Sequence, residues 1–382
     1  MFWYIVICLL MLFPMFVQSV GVENVKRVAP RLLGKQKTRK KQHTTLAIAC
    51  VNLALFMACR SKWVGVDTKF YCAAFTYLQD VDFANLFSTG IYIDASNPNW
   101  NLDFEPGYRL CNKLLGLFFT SQQTITVFNS LVILYLLYHW IRKESCDDLL
   151  SVWLYITLGI YQTEMNVARN AIAILLCYNA LPYVKRGRFW RYTAVVLLAA
   201  SFHKSTLLFI PLYFVFRMKL SNRRSPLVLM LYSVLLGLLS LQVLPLVRYI
   251  MPGFASRYLK TSTSLEAVAV GAFYALLVIF VWLNLKGTER KNARKNAAIG
   301  WRLLLLNLFS FAINTQIKYA ARLAALFGPY MIVFIPQLLH QIEGKKRYNQ
   351  TKALIVIGCG VQYILRMMIN NIGGTLPYSF FW

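Results

Sequence analysis

The stretch LLAASFHKSTLLFIPLYFVF, residues 197–216, indicates the class of protein to which this chain belongs. It is apolar along 20 residues except for a polar centre that contains His203 and Lys204. An α-helix of about 20 apolar residues is long enough to cross a bilayer, but ionisable side chains at its centre are costly. We therefore interpret the stretch as two short helices, 192–202 and 205–217, that meet at residues 202–205 and border a cavity.

The rest of the sequence has the same apolar character. Of the 382 residues 58% are hydrophobic and 14% are charged, whereas soluble proteins average about 25% charged residues. The further apolar runs are 2–18, 44–59, 124–141, 148–162, 168–184, 226–244, 267–286, 299–314, 322–341 and 352–371. We predict an all-α, polytopic integral membrane protein with about 12 transmembrane helices. Residues 1–382 are expected to form a single integral membrane domain.

The distribution of basic residues predicts the orientation of the chain. Most of its 41 lysines and arginines lie between apolar runs, in 26–41, 142–143, 185–191, 217–224, 286–295 and 345–352. All of these segments fall on the cytoplasmic side if 108–120 is a re-entrant or interfacial helix, as the positive-inside rule requires. Residues 19–43 then form a basic cytoplasmic loop and 60–107 an extracytoplasmic loop with short helices, such as 67–80. Both termini lie outside, and the net charge of +27 reflects topology rather than nucleic-acid binding.

The ionisable residues that this orientation does not explain gather on the outer side. The candidates for a shared site are Asp67, Glu105, Arg169, His203, Lys204, Arg257 and Arg322. Each also has a simpler explanation: an arginine or lysine can reach the interface from a helix end, Asp67 can cap a helix, and Glu105 can belong to a turn. Together they favour a functional pocket, because ionisable residues in or near membrane spans are commonly functional.

Such a pocket suits a phosphorylated, sugar-bearing lipid. Arginine and lysine bind phosphate oxygens, and carboxylates bind or deprotonate sugar hydroxyls. Aromatic residues in the outer segment, such as Trp63 and Tyr71, could stack on sugar rings. We therefore expect a lipid-linked glycan in the bilayer as substrate.

Several segments together resemble the EpsG family of Wzy-like exopolysaccharide polymerases. They are GVDTKFYCAAF (65–75), EPGYRLCNKL (105–114), ARNAIA (168–173), SFHKSTLLFIP (201–211), KYAARLAALF (318–327) and PYSFF (377–381). The resemblance extends from about residue 44 to the C-terminus and is carried by the order and spacing of the segments. One departure from the family pattern is Asn170, because the family often has glutamine at the position after the arginine that corresponds to Arg169.

The resemblance implies a GT-C-like membrane glycosyltransferase in the bacterial cytoplasmic (inner) membrane. It would polymerise polyprenyl-diphosphate-linked oligosaccharide repeat units at the outer face of that membrane, with a flippase and chain-length or export proteins as partners. No cofactor is implied, because the diphosphate is already a good leaving group, and no metal motif such as DxD or HExxH occurs in the sequence.

Residue roles follow as expectations from this reaction. Arg169 and Arg322, with Lys204 and Arg257, would bind the diphosphate. Asp67, Glu105 and His203 are the candidates for the catalytic base, and the sequence does not rank them.

Two other functions are open at this stage. An oligosaccharide ligase, or a polyprenyl-sugar-dependent glycosyltransferase, would use the same cationic pocket with a different acceptor. A lipid-linked oligosaccharide flippase would instead need polar residues through the depth of the bilayer and internal repeats. The sequence shows no such repeats, and its unexplained ionisable residues cluster on one side.

Overall fold

The structure, a computed structural model, describes residues 33–88, 90–92, 101–102, 104–218, 225–250, 259, 265–317 and 320–382. These residues form two compact units. The first unit consists of the described residues up to Tyr213 together with Gly358–Trp382, and the second consists of those in Phe214–Ile357. The predicted span 2–18, most of the loop 19–43, and Arg257 lie outside the described residues.

Helices account for most of the described chain. Its helices are α1 (Leu33–Ala58), α2 (Thr68–Asp80), α3 (Pro106–Gly116), α4 (Gln123–Glu144), α5 (Asp148–Thr157), α6 (Ile160–Asn166), α7 (Ala168–Asn179), α8 (Leu181–Lys185), α9 (Phe189–Ala200), α10 (Phe209–Arg217), α11 (Pro226–Ser240), α12 (Leu244–Ile250), α13 (Leu265–Leu283), α14 (Gly287–Asn296), α15 (Ala298–Asn314), α16 (Ala320–Phe327), α17 (Met331–Leu339) and α18 (Lys345–Asn370). Short 3₁₀ helices cover Phe83–Asn85, Lys204–Leu208, Leu241–Val243, Gly328–Tyr330 and Ile372–Gly374. Two short antiparallel strands, β1 (Ile91–Tyr92) and β2 (Asn101–Leu102), pair Ile91 with Leu102 and Tyr92 with Asn101.

The apolar runs within the described residues are helical, but the expected number of about twelve spans is not confirmed. Of the segments that the structure describes, five are long and apolar enough to cross a membrane, and six if α14 and α15 count as one span. The five are Gln123–Glu144, Pro226–Ile250, Leu265–Leu283, Ala320–Leu339 and Lys345–Asn370. The count falls short because other apolar runs are divided into short helices, as 148–162 is divided into α5 and the start of α6. Two basic segments expected as loops are helical, because 287–295 belongs to α14 and 345–352 belongs to α18.

The candidate spans expose apolar side chains along their length. On α18, Leu354, Ile357, Val361, Leu365 and Met368 are each more than half exposed. Rows of exposed leucine, isoleucine and methionine are unfavourable in water and suit contact with lipid. The chain is therefore a multi-pass membrane protein.

Most of the short run 108–120 belongs to α3, which ends at Gly116 and is too short to cross a bilayer. Its 11 residues span about 16 Å, roughly half the thickness of the hydrocarbon core. Its basic residues stabilise the surrounding loop: the Arg109 guanidinium donates to the carbonyls of Phe104 (2.7 Å) and Leu86 (3.2 Å), and Lys113 donates to the carbonyl of Gln79 (2.7 Å). Arg109 and Lys113 therefore have a structural role in this loop.

The first unit is built around α4 and α7. Helix α1 packs on α4, α4 on α7, and α7 on α9. Aromatic residues fill the interior, where the rings of Trp140 and Tyr178 stack at 4.6 Å and the Tyr192 hydroxyl donates to the Phe209 carbonyl at 2.8 Å. This packing fixes the end of α7 on α4 and joins the start of α9 to the start of α10.

The second unit is built around α15, on which α11, α13 and α16 pack. Helix α11 approaches α15 closely at Gly237, where an added Cβ would lie 2.6 Å from the Cβ of Ala312 and 3.1 Å from the carbonyl oxygen of Phe309. Small residues at such crossings let membrane helices approach closely and gain packing energy.

The C-terminal segment is bound to the loop after α1. The amide of Ser61 donates to the Ser379 carbonyl (2.9 Å), and that of Phe381 donates to the Cys59 carbonyl (3.1 Å). The Tyr378 ring stacks on Phe56 at 4.0 Å, and its hydroxyl donates to the Phe56 carbonyl at 2.6 Å. The tail therefore stabilises the loop that leads into α2.

These two contacts of Tyr378 can be separated by substitution. We expect Tyr378→Phe to lower stability by about 1 kcal/mol, because it removes one hydrogen bond and keeps the stacked ring. Tyr378→Ala should lower it by about 3 kcal/mol or more, because the ring is lost as well. Thermal unfolding of the purified protein in detergent checks the order of the two effects, and equal melting temperatures for both variants would contradict it.

Candidate functional site

The break predicted at His203 and Lys204 is present. Helix α9 ends at Ala200, His203 is extended (φ −156°, ψ 111°), and a 3₁₀ helix begins at Lys204. The Ser201 carbonyl accepts hydrogen bonds from the amides of Gly107 (2.8 Å) and Tyr108 (3.2 Å), in the first turn of α3. Amides in the first turn of a helix have no hydrogen-bond partner within that helix. The Ser201 carbonyl supplies the partner here, and it thereby holds the start of α3 against the break.

Glu105 precedes α3 and joins three segments of the chain. Its side chain does not cap the helix. Instead, Oε2 accepts a hydrogen bond from the Arg169 guanidinium, and Oε1 accepts one from the backbone amide of Lys204 at 3.1 Å. The Nδ1 atom of His203 lies 3.2 Å from Oε1. One buried carboxylate therefore brings α3, α7 and the break after α9 together.

Arg169 lies in the first turn of α7, where the helix dipole disfavours a positive charge. Its guanidinium carbon lies 4.0 Å from the centre of the Phe104 ring, 5.7 Å from that of Tyr108 and 5.9 Å from that of Tyr71. Aromatic faces attract a cation, and the carboxylate of Glu105 neutralises it. Its Nε is buried and has no hydrogen-bond partner among the described residues. We call this arrangement the arginine cage.

The protonation state of Glu105 follows from these neighbours. Burial alone would raise the pKa of the Glu105 carboxyl. Its contact with His203, the charge of Arg169 and the amide of Lys204 outweigh burial, so the pKa lies below its ordinary value. Glu105 is therefore an anion at neutral pH and a weak proton acceptor.

The tyrosines of the arginine cage do not ionise at neutral pH. Burial raises the pKa of Tyr71 to about 12, although the nearby Arg169 lowers it in part. Burial also raises the pKa of Tyr108, whose hydroxyl accepts a hydrogen bond from the Asn129 amide at 2.9 Å. Tyr71 is a buried member of the arginine cage, so the suggestion that it stacks on a sugar does not fit the structure. Trp63, the other aromatic residue suggested for this role, is exposed.

Asp67 lies at the start of α2, near the arginine cage. It precedes α2 but makes no side-chain capping bond, so the simple capping role does not hold. Its backbone amide donates to Asn166 Oδ1 at 2.8 Å, three residues before Arg169. Asp67 is also one helical turn before Tyr71, and residues four apart lie on the same helix face. The start of α2 is therefore fixed beside the start of α7.

Five of the seven predicted site residues thus lie in one region of the first unit. They are Asp67, Glu105, Arg169, His203 and Lys204. Arg322 is an exposed residue of α16 in the second unit. The roles predicted for all seven residues remain predictions.

Sequence reasoning did not identify Phe104 and Tyr108 as site residues. The available signal was their position on both sides of Glu105 in FEPGY, but aromatic residues are frequent throughout this chain. Asn170, the departure from the family pattern, is buried at 7% exposure with no hydrogen bond to its Oδ1 among the described residues. In the described part of the chain, no group of three or more His, Cys, Asp and Glu residues is arranged to hold a metal ion.

Comparison with known proteins gives one match. A protein-family model described as the EpsG family matches residues 43–380, which is most of the chain and includes the site. No curated protein and no solved structure matches the chain significantly.

Gly107 tests the contact between α3 and the break. An added Cβ would lie 2.2 Å from Ser201 Oγ and 2.8 Å from the Ser201 carbonyl oxygen, which is backbone and cannot simply rotate away. We expect Gly107→Ala to cost about 1–3 kcal/mol. Gly116→Ala is the matched control on the same helix, since its nearest neighbour is the Gln79 side chain and its cost should be smaller. Thermal unfolding compares the variants, and equal losses would contradict the predicted contact.

The lowered pKa of Glu105 predicts a pH-dependent contribution to stability. The pKa of the Glu105 carboxyl is about 4.3 in the unfolded chain and lies below that value in the folded protein. The contribution is therefore fully present above about pH 4.3 and is lost as the pH falls through the folded pKa. Wild type should be more stable than Glu105→Gln at pH 7, and the gap should narrow below pH 4. Melting temperatures from pH 7 to pH 3 measure this gap, and a constant gap would contradict the assignment.

Proposed function

The chain belongs to the EpsG family, and from this membership and its site we propose that it polymerises polyprenyl-diphosphate-linked oligosaccharide repeat units. The observation that carries the proposal is the convergence of Glu105, Arg169, His203 and Lys204 at the meeting point of α3, α7 and the break after α9. Cations, a carboxylate and an imidazole in one region are the groups that this transfer requires.

The proposed reaction transfers the growing glycan from its lipid carrier to a new repeat unit. An acceptor hydroxyl oxygen attacks the anomeric carbon of the lipid-linked glycan and forms the new glycosidic bond. The bond from that carbon to the diphosphate oxygen breaks, and its electron pair stays on the diphosphate. The hydroxyl proton passes to a base, so the products are a longer glycan and free polyprenyl diphosphate.

The cationic residues would stabilise the charge that develops on the leaving diphosphate. Lys204 has an exposed side chain at the break. Its backbone amide and the Arg169 guanidinium both donate to the Glu105 carboxylate, so the two cationic residues lie near each other. A diphosphate that approaches Arg169 would compete with Glu105 for the guanidinium. The diphosphate-binding roles of Arg322 and Arg257 stay predictions.

His203 is the base that the contacts favour. Its Nδ1 is buried and lies 3.2 Å from Glu105 Oε1. The side chain as a whole is 16% exposed, so this exposure comes from its other atoms. A carboxylate at one ring nitrogen orients an imidazole and stabilises the imidazolium that forms when the other nitrogen takes a proton. Glu105 is then a positioning residue, and Asp67 is left to bind sugar hydroxyls near the start of α2.

The location follows from the same proposal. A polymerase of this class would act at the outer face of the bacterial cytoplasmic membrane, with both termini outside. A flippase would supply its substrate, and chain-length or export proteins would handle its product. The outward clustering of ionisable residues and the inward clustering of basic segments in the sequence support this orientation.

The polymerase activity is tested by glycan length in a strain that lacks the protein. We expect wild type to restore long polymer, and Arg169→Ala to lower the polymerisation rate by about 100-fold, because it removes a group that stabilises the leaving charge. His203→Asn should lower the rate by at least about 100-fold, the usual effect of losing a general base. Arg191→Ala, which changes an exposed arginine at the start of α9, is the matched control and should behave as wild type.

The outcomes of this experiment separate the alternatives. Variants must be compared at equal abundance in the membrane. Normal polymer from Arg169→Ala and His203→Asn would show that the site is placed wrongly. Long polymer that forms without the protein would reject the polymerase and favour a ligase or a flippase.

A further inference from the structure

Helix α14 arranges its side chains in three rows of different character. Glu289 and Ala293 are buried, and they lie four residues apart on one face. Arg290 and Arg294 form the next row and lie over the Trp282 ring at 5.5 and 5.7 Å. A third row, Lys291 and Lys295, is exposed. Because residues four apart share a helix face, the sequence presents two lysines outward while the glutamate and arginine rows pack inward.

Glu289 attaches α14 to the start of α18. Its carboxylate accepts hydrogen bonds from the amide of Lys286 (2.8 Å), the amide of Glu343 (2.7 Å) and the guanidinium of Arg347. At the other end of α14, the Asn296 amide group donates to Gln341 Oε1 at 3.1 Å. Helix α14 is therefore bound at both ends to residues 341–347.

These attachments place further exposed lysines beside α14. Lys286 immediately precedes α14. Lys345 and Lys346 lie between Glu343 and Arg347, the two residues that contact Glu289. We call the five exposed lysines the basic platform: Lys286, Lys291, Lys295, Lys345 and Lys346. Of the two carboxylates in this region, Glu289 is buried and paired with Arg347, and only Glu343 is exposed.

The basic platform lies at the ends of apolar helices. Helix α13 ends at Leu283, α14 is bent by 79° from α15, and α18 begins at Lys345. A polar helix that turns away from the axis of an adjoining apolar helix, at the ends of candidate spans, is at the depth of lipid headgroups.

We propose that the basic platform binds the phosphate groups of anionic phospholipids. Lysine ammonium groups act as point charges for phosphate, and clusters of lysines beside membrane spans attract anionic headgroups. The arginines of α14 are already engaged with Trp282, so the exposed basic side chains of α14 are lysines. An acidic protein segment is the competing occupant, but the position of the platform at the spans favours lipid.

The test uses the purified full-length protein in mixed micelles. Phosphatidylglycerol and phosphatidylcholine are titrated separately, and bound lipid is counted by native mass spectrometry. We expect wild type to retain at least about threefold more phosphatidylglycerol than phosphatidylcholine, and Lys291→Gln with Lys295→Gln to lose at least half of this preference. Lys62→Gln with Lys69→Gln is the control with the same change in charge elsewhere.

Two further measurements complete the test. Lys291→Arg with Lys295→Arg keeps the charge and should keep the lipid preference, which separates charge from folding. Equal retention of the two lipids by wild type, or an unchanged preference in the Lys291 and Lys295 glutamine variant, would overturn the proposal. If wild type retains the two lipids equally but binds soluble polyglutamate tightly, the proposal is overturned in favour of an acidic protein partner. None of these results depends on the polymerase activity.

Discussion

The carboxylate of Glu105 is the interaction on which the site depends. A buried charge in a membrane protein is costly unless other charges or donors surround it. Glu105 has three such neighbours, the guanidinium of Arg169, the amide of Lys204 and the ring of His203. They come from two different parts of the chain, the start of α7 and the break after α9. Removing the Glu105 carboxylate would leave Arg169 in an aromatic enclosure, at a helix start, without its counter-charge. The position of one side chain therefore determines whether the others can act together.

The local structure of the chain explains why these groups meet. Helix starts carry amides without partners in the helix, and the Ser201 carbonyl supplies a partner for two of them at the start of α3. Gly107 permits this approach because any larger residue would collide with Ser201. The C-terminal tail binds the loop before α2, and α2 supplies Tyr71 to the arginine cage. Backbone contacts thus position the elements, and side chains then complete the site.

The sequence predicts the parts of this fold that depend on local pattern. Apolar runs identify the helices, and His203 with Lys204 identify the break, because both signals come from neighbouring residues. The predicted number of about twelve spans is not confirmed, since tertiary contacts decide where an apolar run breaks, as where 148–162 is divided between α5 and the start of α6. The aromatic neighbours of Arg169 are also missed, because Phe104 and Tyr108 approach it across about 60 residues of chain. Composition identifies which ionisable residues are unusual, but only the fold shows that Glu105 pairs with Arg169.

Glu105 and Glu289 illustrate how a few carboxylates can organise a strongly basic chain. The chain has 41 lysines and arginines and 14 acidic residues, so most cations have no carboxylate partner available. Each of these two buried glutamates holds one arginine and at least one backbone amide, and in doing so fixes the helix starts around it. The lysines on the same segments, Lys204 near Glu105 and Lys291 near Glu289, are left exposed. Arginine, which can form several directed bonds, serves the internal contact, while lysine presents its charge outward. The same division of roles would provide a substrate site in the first unit and a lipid-binding surface in the second, because both ligands carry phosphate.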